Sequence, residues 1–180
     1  GMNAMNIHTV GYAIQGIANL SIKENRVSSG AVIAYDSRNN SDVFAEATAL
    51  ILAANGIKAY LFTGLRPTPE LSFAVRELGC TAGIMITASH NPPEYNGYKV
   101  YWEDGAQITA PKDKEIIGEV QAVTDYHTVK TMDKQAAMYA GLVIVPLDKE
   151  LGFDDVYEQM EKADVDFFLY DKTYKDYAEL

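Results

Sequence analysis

The chain has 180 residues, of which 48% are apolar, and a formal net charge of −10. This length and apolar content are typical of one packed globular domain, with or without an appendage, and not of a disordered chain. The acidic excess speaks against general nucleic-acid binding, which needs a basic surface, and no apolar run in the sequence is long enough to cross a membrane.

The single cysteine, Cys80, cannot form an internal disulfide. The first residues lack the basic region and apolar core of a secretory signal. Both features fit a reducing cytoplasm, which is the location we expect. Because Cys80 follows Gly79 in an apolar setting, we expect a buried, unreactive thiol.

The first 120 residues alternate between helical and strand patterns. Five apolar residues at helical spacing predict a first helix: Val10, Ala13, Ile14, Ile17 and Leu20. A buried strand is predicted at 31–35. A second helix follows, with Ser41 as its N-cap, Asp42 in its first turn, an apolar stripe to Ala54 and Gly56 as its stop.

A second strand is predicted at 57–62 and a third helix after it, with Thr68 as N-cap, Pro69 at the first helical position and Gly79 at its end. Two further strands are predicted at 82–86 and 97–101. The next helix starts at Pro111, and three of its residues are expected to face inward: Ile116, Ile117 and Val120.

Strands separated by helices predict right-handed crossovers and hence a three-layer α/β/α fold. We expect a mostly parallel mixed sheet of about four strands, the last short strand being antiparallel. The regular pattern forms a core at 5–123, and 124–180 is predicted as an acidic, helical extension. Within that extension, helices are expected near 133–140 and 154–162, joined by an apolar piece at 142–147.

The stretch 87–99, TASHNPPEYNGYK, carries most of the functional information. It places Ser89 on a tight turn just after a buried strand, where a serine can meet a ligand, and Lys99 could deliver a charge or a proton there. Taken alone, such a serine is more often a cap and such a lysine a solvated charge. His90 is not read as a hydrolase partner of Ser89, because adjacent positions need not face each other.

Together with Asp36-Ser37-Arg38 and Arg66-Pro67-Thr68-Pro69, this stretch resembles the N-terminal domain of the α-D-phosphohexomutases, the superfamily of phosphoglucomutase and phosphomannomutase. The string Thr-Ala-Ser-His-Asn-Pro is the phosphoserine signature of that superfamily. The run at 98–108 is most similar to the branch that contains phosphoglucomutases and phosphopentomutases. The resemblance covers about residues 5–123, with a looser similarity to about residue 159.

Members of the superfamily have four domains, so the resemblance implies that 1–180 is a single N-terminal domain I, a fragment without domains II–IV. The sequence contains no Asp-Gly-Asp-Gly-Asp metal loop, no Glu-x-Ser-Gly-His sugar loop, no arginine-rich phosphate loop and no early Gly-Thr-x-Gly-x-Arg-Gly segment. We therefore expect little or no turnover from this chain alone.

The resemblance also implies residue roles. Ser89 would carry a phosphoryl group, donate it to a sugar phosphate to give a bisphosphate, and recover the other phosphoryl group. Lys99 would be the general acid/base at the sugar hydroxyl, and His90 would contact the phosphoryl oxygens. Arg38 would position the loop or bind phosphate, and Asn91 would offer hydrogen bonds to the same ligand. Mg²⁺ would bind Ser89 through its phosphate, with carboxylate ligands from the second domain.

The implied partners are a hexose or pentose phosphate, its bisphosphate and the remaining domains of a mutase; nucleic acid and membrane are not among them. Self-association through the exposed inter-domain face is also expected. The alternative is a non-catalytic domain that keeps the fold and binds a phosphosugar or a partner chain. A flavodoxin-like or receiver-like domain shares the alternation but needs an early acidic pair or a glycine-rich phosphate loop, and neither is present.

Overall fold

A computed structural model describes residues 5–145 of the chain. Its helices are α1 (Ile7–Lys23), α2 (Ser41–Ala54), α3 (Thr68–Glu77), α4 (Lys112–Ala122) and α5 (Lys134–Ala140). Its strands are β1 (Ala31–Tyr35), β2 (Ala59–Phe62), β3 (Ala82–Ile86), β4 (Tyr98–Trp102) and β5 (Leu142–Val145). None of the helices described is long and apolar enough to cross a membrane.

The strands form one sheet in the order β4-β3-β1-β2-β5. All neighbours are parallel except β4, which runs antiparallel to β3. The predicted α/β class and the antiparallel fourth strand are confirmed. The expected count of about four strands was low, because 142–145 is the fifth strand and pairs in parallel with β2. Periodicity could not identify it, since a four-residue apolar run fits a buried strand or a helix segment equally well.

The predicted helix near 133–140 is confirmed as α5, with Asp133 as its N-cap. The sheet therefore continues beyond residue 123, where the regular sequence pattern weakens. The predicted helix near 154–162 and the last part of the predicted apolar piece, 146–147, lie outside the described residues.

Helices cover both faces of the sheet, because side chains of each central strand alternate between two cores. On one face, Ala31 and Ile33 of β1 pack with residues of α1, α2, α4 and α5. On the other face, Val32 and Ala34 pack with residues of α3. α3 approaches closely at Gly83, where an added Cβ would lie 2.6 Å from the Val75 Cγ2 atom. The result is the three-layer arrangement.

Two predicted caps were wrong by one residue. The N-cap of α2 is Asn40, in the left-handed conformation with φ 61°, and Ser41 is the first helical residue. Asparagine tolerates this conformation better than most residues. The N-cap of α3 is Pro67 and not Thr68. The Ser41 hydroxyl is instead used outside the helix, since it donates to Asp36 Oδ1 at 3.2 Å.

Helix α4 packs directly on α1. An added Cβ on Gly16 would lie 2.6 Å from the backbone nitrogen of Val120, so only glycine allows this approach. Ile116 faces the core as predicted, whereas Ile117 is 52% exposed, so its predicted burial was wrong. Successive residues point about 100° apart around a helix, and α4 buries only a narrow stripe.

The first prediction concerns this helix contact. Gly16→Ala is expected to destabilise the chain by about 1–3 kcal/mol, because the methyl group would meet backbone atoms that cannot move independently. Gly118→Ala on α4 is the matched control, since nothing lies within 4 Å of its added Cβ, and it is expected to stabilise the helix by up to about 1 kcal/mol. Urea unfolding followed by circular dichroism measures both; equal effects would contradict the described packing.

The second prediction concerns Cys80, which is fully buried in the core beneath α3. Burial raises the pKa of its thiol to about 12, and the thiolate is the reactive form. At pH 8 we expect the native thiol to react with a disulfide reagent about a hundredfold or more slower than the same thiol in denaturant. Comparable rates in buffer and in denaturant would show that the thiol is accessible.

Candidate active site

The candidate site lies beyond the carboxyl ends of β1 and β3, which are neighbours in the sheet and pair from Ala31↔Ala82 to Tyr35↔Ile86. The connection leaving β1 passes through α2 on one face, and the connection entering β3 passes through α3 on the other. β2 lies on one side of β1 and β3 on the other, so the strand order reverses between β1 and β3. In open α/β sheets, ligands bind in the crevice at such a reversal.

Ser89 lies at this crevice with its side chain exposed, three residues after β3. Its backbone is left-handed, with φ 60°, a conformation that is uncommon for a serine and is held only where surrounding contacts enforce it. The turn brings Ser89 Oγ to 3.1 Å from His90 Nδ1. The two adjacent side chains therefore do meet, a contact that their positions in the sequence did not predict.

Thr87 ties the backbone of Ser89 to the end of β1. Its hydroxyl accepts from the Ser89 amide at 3.0 Å and donates to Asp36 Oδ2 at 2.6 Å. The Thr87 side chain is buried, directly after the last residue of β3. The backbone of Ser89 is thus held, through Thr87, by Asp36 of the segment that follows β1.

Asp36 is the residue of the site that the sequence reasoning missed. Its carboxylate accepts four hydrogen bonds: Oδ1 from the Arg38 amide and the Ser41 hydroxyl, both at 3.2 Å, and Oδ2 from Arg38 Nε at 3.0 Å and from Thr87. The available signal was its place as the first polar residue after a buried strand, next to the strand that leads to Ser89. That signal fits a strand end or a helix cap equally well.

Arg38 lies beneath the serine loop. Nη1 donates to the carbonyl oxygens of Asn91 at 2.6 Å, Pro92 at 2.9 Å and Tyr95 at 3.2 Å, and Nη2 donates to the carbonyl oxygen of Ser89 at 2.5 Å. The side chain is only 9% exposed. The structure therefore brings Arg38 to the loop and directs its guanidinium to the loop backbone.

The predicted Asn91 enters the site through its backbone, since its amide donates to the Ala88 carbonyl at 3.2 Å and its carbonyl binds Arg38. Asn96 fastens the far end of the loop, because its side-chain amide donates to the Asn39 carbonyl at 3.1 Å and to Ser41 Oγ at 2.8 Å. Together these bonds close the loop against the start of α2.

Lys99 lies in β4, opposite Met85 of β3, one strand away from the serine turn. Lys99 is half-buried. Its side chain lies on the opposite face of β4 from Val100 and Trp102, which pack in the core that includes α1 and α2. Within residues 5–145 its ammonium group makes no hydrogen bond or ion pair, so its charge is available to a ligand.

Arg66 adds a second arginine to the same edge of the sheet, just after β2. Its amide donates to the Tyr35 carbonyl at 3.1 Å and its Nη1 donates to the Leu65 carbonyl at 2.7 Å. Nε lies 3.0 Å from Glu70 Oε1, which is close enough for an ion pair, although the buried N–H is not aligned for a hydrogen bond.

A divalent metal site is not assembled by the described residues. Between residues 5 and 145, no three histidine, cysteine or acidic side chains are grouped as ligands. Asp36, the carboxylate joined to the serine loop, already accepts four hydrogen bonds. These residues do not by themselves fit a complete Mg²⁺ site.

The fold and the site together are a three-layer α/β/α domain with an exposed serine on a left-handed turn at the sheet reversal. Residues 1–127 match the family model described as phosphoglucomutase/phosphomannomutase, alpha/beta/alpha domain I. The chain therefore belongs to this family, and the predicted resemblance is confirmed. Enzymes of the family act on sugar phosphates and generally use Mg²⁺.

Three curated relatives show how much of a full-length protein is matched. The chain is 54% identical over 95 residues to a probable phosphomannomutase of Haemophilus influenzae, covering 51% of this chain and 20% of that protein. It is 48% identical to a probable phosphoribomutase of Schizosaccharomyces pombe, with coverage of 64% and 20%. For a phosphoglucomutase of Staphylococcus haemolyticus the identity is 47%, with coverage of 64% and 21%. The chain thus spans about a fifth of the length of the curated relatives it matches.

Solved structures agree on the fold. A putative phosphomannomutase of Thermus thermophilus superposes with a TM-score of 0.61 at 31% identity, over 73% of this chain and 28% of that one. The phosphoglucomutase parafusin of Paramecium gives a TM-score of 0.58 over 85% and 31%, and at 20% identity it supports the fold alone.

Proposed function

We propose that this chain is the phosphoserine-bearing domain of a sugar-phosphate mutase, and that Ser89 takes up and returns the phosphoryl group. The observation that carries the proposal is the exposed Ser89 hydroxyl, held on a left-handed turn at the sheet reversal within 3.1 Å of His90 Nδ1. The names of the relatives, which include phosphomannomutase, phosphoglucomutase and phosphopentomutase, support a hexose or pentose phosphate as substrate.

Phosphoryl uptake needs two proton transfers, one from the attacking serine hydroxyl and one to the departing sugar oxygen. Ser89 Oγ attacks a phosphorus of the sugar bisphosphate, and the bond from that phosphorus to the sugar oxygen breaks. His90 Nδ1 accepts the serine proton when this nitrogen carries the lone pair, and Lys99 gives a proton to the departing sugar oxygen. In the return step, Lys99 removes a proton from the free sugar hydroxyl, whose oxygen attacks the phosphoserine phosphorus; the bond from phosphorus to Ser89 Oγ breaks, and the proton held by His90 returns to Ser89 Oγ.

Charge at the sheet edge supports this chemistry. A phosphoserine carries about −1.5 to −2 charges near neutral pH, in a chain whose net charge is −10. Lys99 and Arg66 bring positive charge to the same edge as Ser89. The exposed side-chain amide of Asn91 can donate a hydrogen bond to a phosphoryl oxygen.

Mg²⁺, when bound, would neutralise charge on the transferring phosphoryl group. Ser89, through its phosphate, would be the contact that the described residues supply, and carboxylate ligands would come from elsewhere in a longer protein. We derive no step through the ion from residues 5–145, because these residues do not complete its site.

Apolar side chains at the same edge support a covering partner. Leu65 and Tyr95 are exposed beyond the carboxyl ends of β2 and β3, and Tyr98 is exposed at the start of β4, opposite the last residue of β3. Exposed apolar surface next to a polar site is typical of an interface. We propose that the remaining domains of a mutase cover this edge and complete the sugar site, in a reducing cytoplasm where Cys80 stays a thiol. A second copy of the chain could cover the same apolar side chains when those domains are missing.

The third prediction tests the serine. The purified chain is incubated with glucose 1,6-bisphosphate and Mg²⁺, and its intact mass is measured. We expect a gain of one phosphoryl group that Ser89→Ala abolishes, because the acceptor oxygen is removed. Ser37→Ala is the matched control, since Ser37 is also an exposed serine at the end of a neighbouring strand, and it should still gain the group.

A mass gain that survives Ser89→Ala would reject Ser89 as the acceptor. No gain when the chain is joined to the remaining domains of a relative, under conditions that phosphorylate that relative, would favour the non-catalytic domain that binds a phosphosugar or a partner chain.

The fourth prediction concerns turnover. Conversion of glucose 1-phosphate to glucose 6-phosphate, followed by a coupled dehydrogenase, should be undetectable with this chain alone, because sugar and metal contacts are incomplete. Fusing the chain to domains II–IV of the Staphylococcus haemolyticus phosphoglucomutase should restore turnover. Ser89→Ala in that fusion should remove it by about a thousandfold or more.

Clear turnover by the 180 residues alone would contradict the need for further domains. A folded fusion that is inactive, while the relative's own first domain restores activity in the same assembly, would count against the mutase assignment.

A further inference from the structure

We propose that Arg38 is the positioning residue of Ser89: anchored on Asp36, its guanidinium holds the serine loop by its carbonyl oxygens and keeps Ser89 in the left-handed conformation. The catalytic consequence of this inference rests on the proposed function, whereas its structural part does not. Arg38 acts through the loop and not as a ligand of the phosphoryl group.

The argument begins with the backbone of Ser89. At φ 60° its Cβ crowds the following carbonyl, which disfavours this conformation for any residue except glycine. Asn25 and Asn40 share a positive φ within the described residues, but asparagine tolerates it better. A serine keeps such a conformation only when neighbouring contacts enforce it.

Arg38 supplies those contacts at the carbonyl side. The carbonyl oxygens of Ser89, Asn91, Pro92 and Tyr95 all converge on its two terminal nitrogens. Pro92 and Pro93 have no amide hydrogen, so the loop has few donors of its own; of these four carbonyl groups, Pro92 also accepts from the Tyr95 amide at 3.0 Å. One planar guanidinium binds all four, and because Nη1 has two hydrogens for three of these carbonyl oxygens, at least one N–H is shared between two of them.

Asp36 fixes Arg38 and also reaches the amide side of Ser89. Its Oδ2 binds Arg38 Nε at 3.0 Å and the Thr87 hydroxyl at 2.6 Å, and Thr87 in turn accepts from the Ser89 amide at 3.0 Å. Ser89 is therefore held at both ends of its backbone, by Thr87 at the amide and by Arg38 at the carbonyl.

The burial of Arg38 argues for a positioning role and against direct phosphate binding. The Arg38 side chain is 9% exposed, and its N–H groups are directed to Asp36 and to the loop carbonyls. Its charge also offsets four carbonyl dipoles next to a residue that would carry up to about two negative charges. A lysine would keep the charge, but its three N–H donors lie on one nitrogen, so it could not hold Asp36 and four carbonyl oxygens together.

The test uses the full 180-residue chain and compares Arg38→Lys with wild type by hydrogen exchange and mass spectrometry. Exchange in peptides from 87–98 is expected to accelerate about tenfold or more, while peptides from β1 and β3 keep their protection. Arg26→Lys is the matched control: Arg26 also pairs with carboxylates, Glu24 and Glu103, but precedes β1 at the opposite end of the strand.

A second variant removes the other tether without changing charge. Thr87→Val loses the hydroxyl that joins Asp36 to the Ser89 amide, and it should loosen the same peptides. Unchanged protection of 87–98 in Arg38→Lys would overturn the inference. Equal acceleration in the loop and in β1 would also overturn it, because Arg38 would then support the whole fold and not the loop.

The phosphoryl-uptake assay separates this inference from the proposed function. In Arg38→Lys we expect the maximal rate of Ser89 phosphorylation to fall about thirtyfold, with little change in the bisphosphate concentration at half-maximal rate, because positioning and not binding is lost. A raised half-maximal concentration at an unchanged maximal rate would assign Arg38 to phosphate binding and overturn the inference. If wild type takes up no phosphoryl group while Arg38→Lys still loosens the loop, the proposed function fails and the structural part stands.

Discussion

The contact between the Asp36 carboxylate and the Arg38 guanidinium is the interaction on which the site depends. It joins the segment after β1 to the segment after β3 through Thr87, and it lies partly out of water. Removing one partner of such a pair leaves an uncompensated charge and several unmet hydrogen bonds, which is costly. The same bonds hold Ser89 in a conformation that the serine would not adopt alone.

The sheet brings these two segments together. Parallel strands end at one edge, and the strand order reverses there between β1 and β3, which is where open α/β sheets bind ligands. Close packing supports the sheet behind that edge: α3 lies against β3 at Gly83, and α4 lies against α1 at Gly16. A rigid scaffold beneath a short, over-determined loop is the arrangement that preorganisation requires.

The acidic character of the chain gives the cations of this edge their importance. With a net charge of −10, the protein as a whole would repel a sugar phosphate, so attraction must be local. The charge of Arg38 is directed to the loop carbonyls, whereas Lys99 makes no ion pair within the described residues. The proposed function therefore assigns the structural and the ligand-directed role to two different cations at one edge of the sheet, Arg38 and Lys99.

The sequence by itself determined the α/β class, the strands that precede Ser89, the antiparallel β4 and the family, because these follow from local periodicity and from one contiguous, specific string. It did not identify β5, whose four apolar residues fit a strand or a helix equally well. Nor did it identify Asp36, or divide the roles of Arg38 between the loop and a phosphate. Those roles come from hydrogen bonds between residues about fifty positions apart, and only the tertiary structure decides such pairings, since no local pattern encodes which distant carbonyl or hydroxyl a side chain will meet.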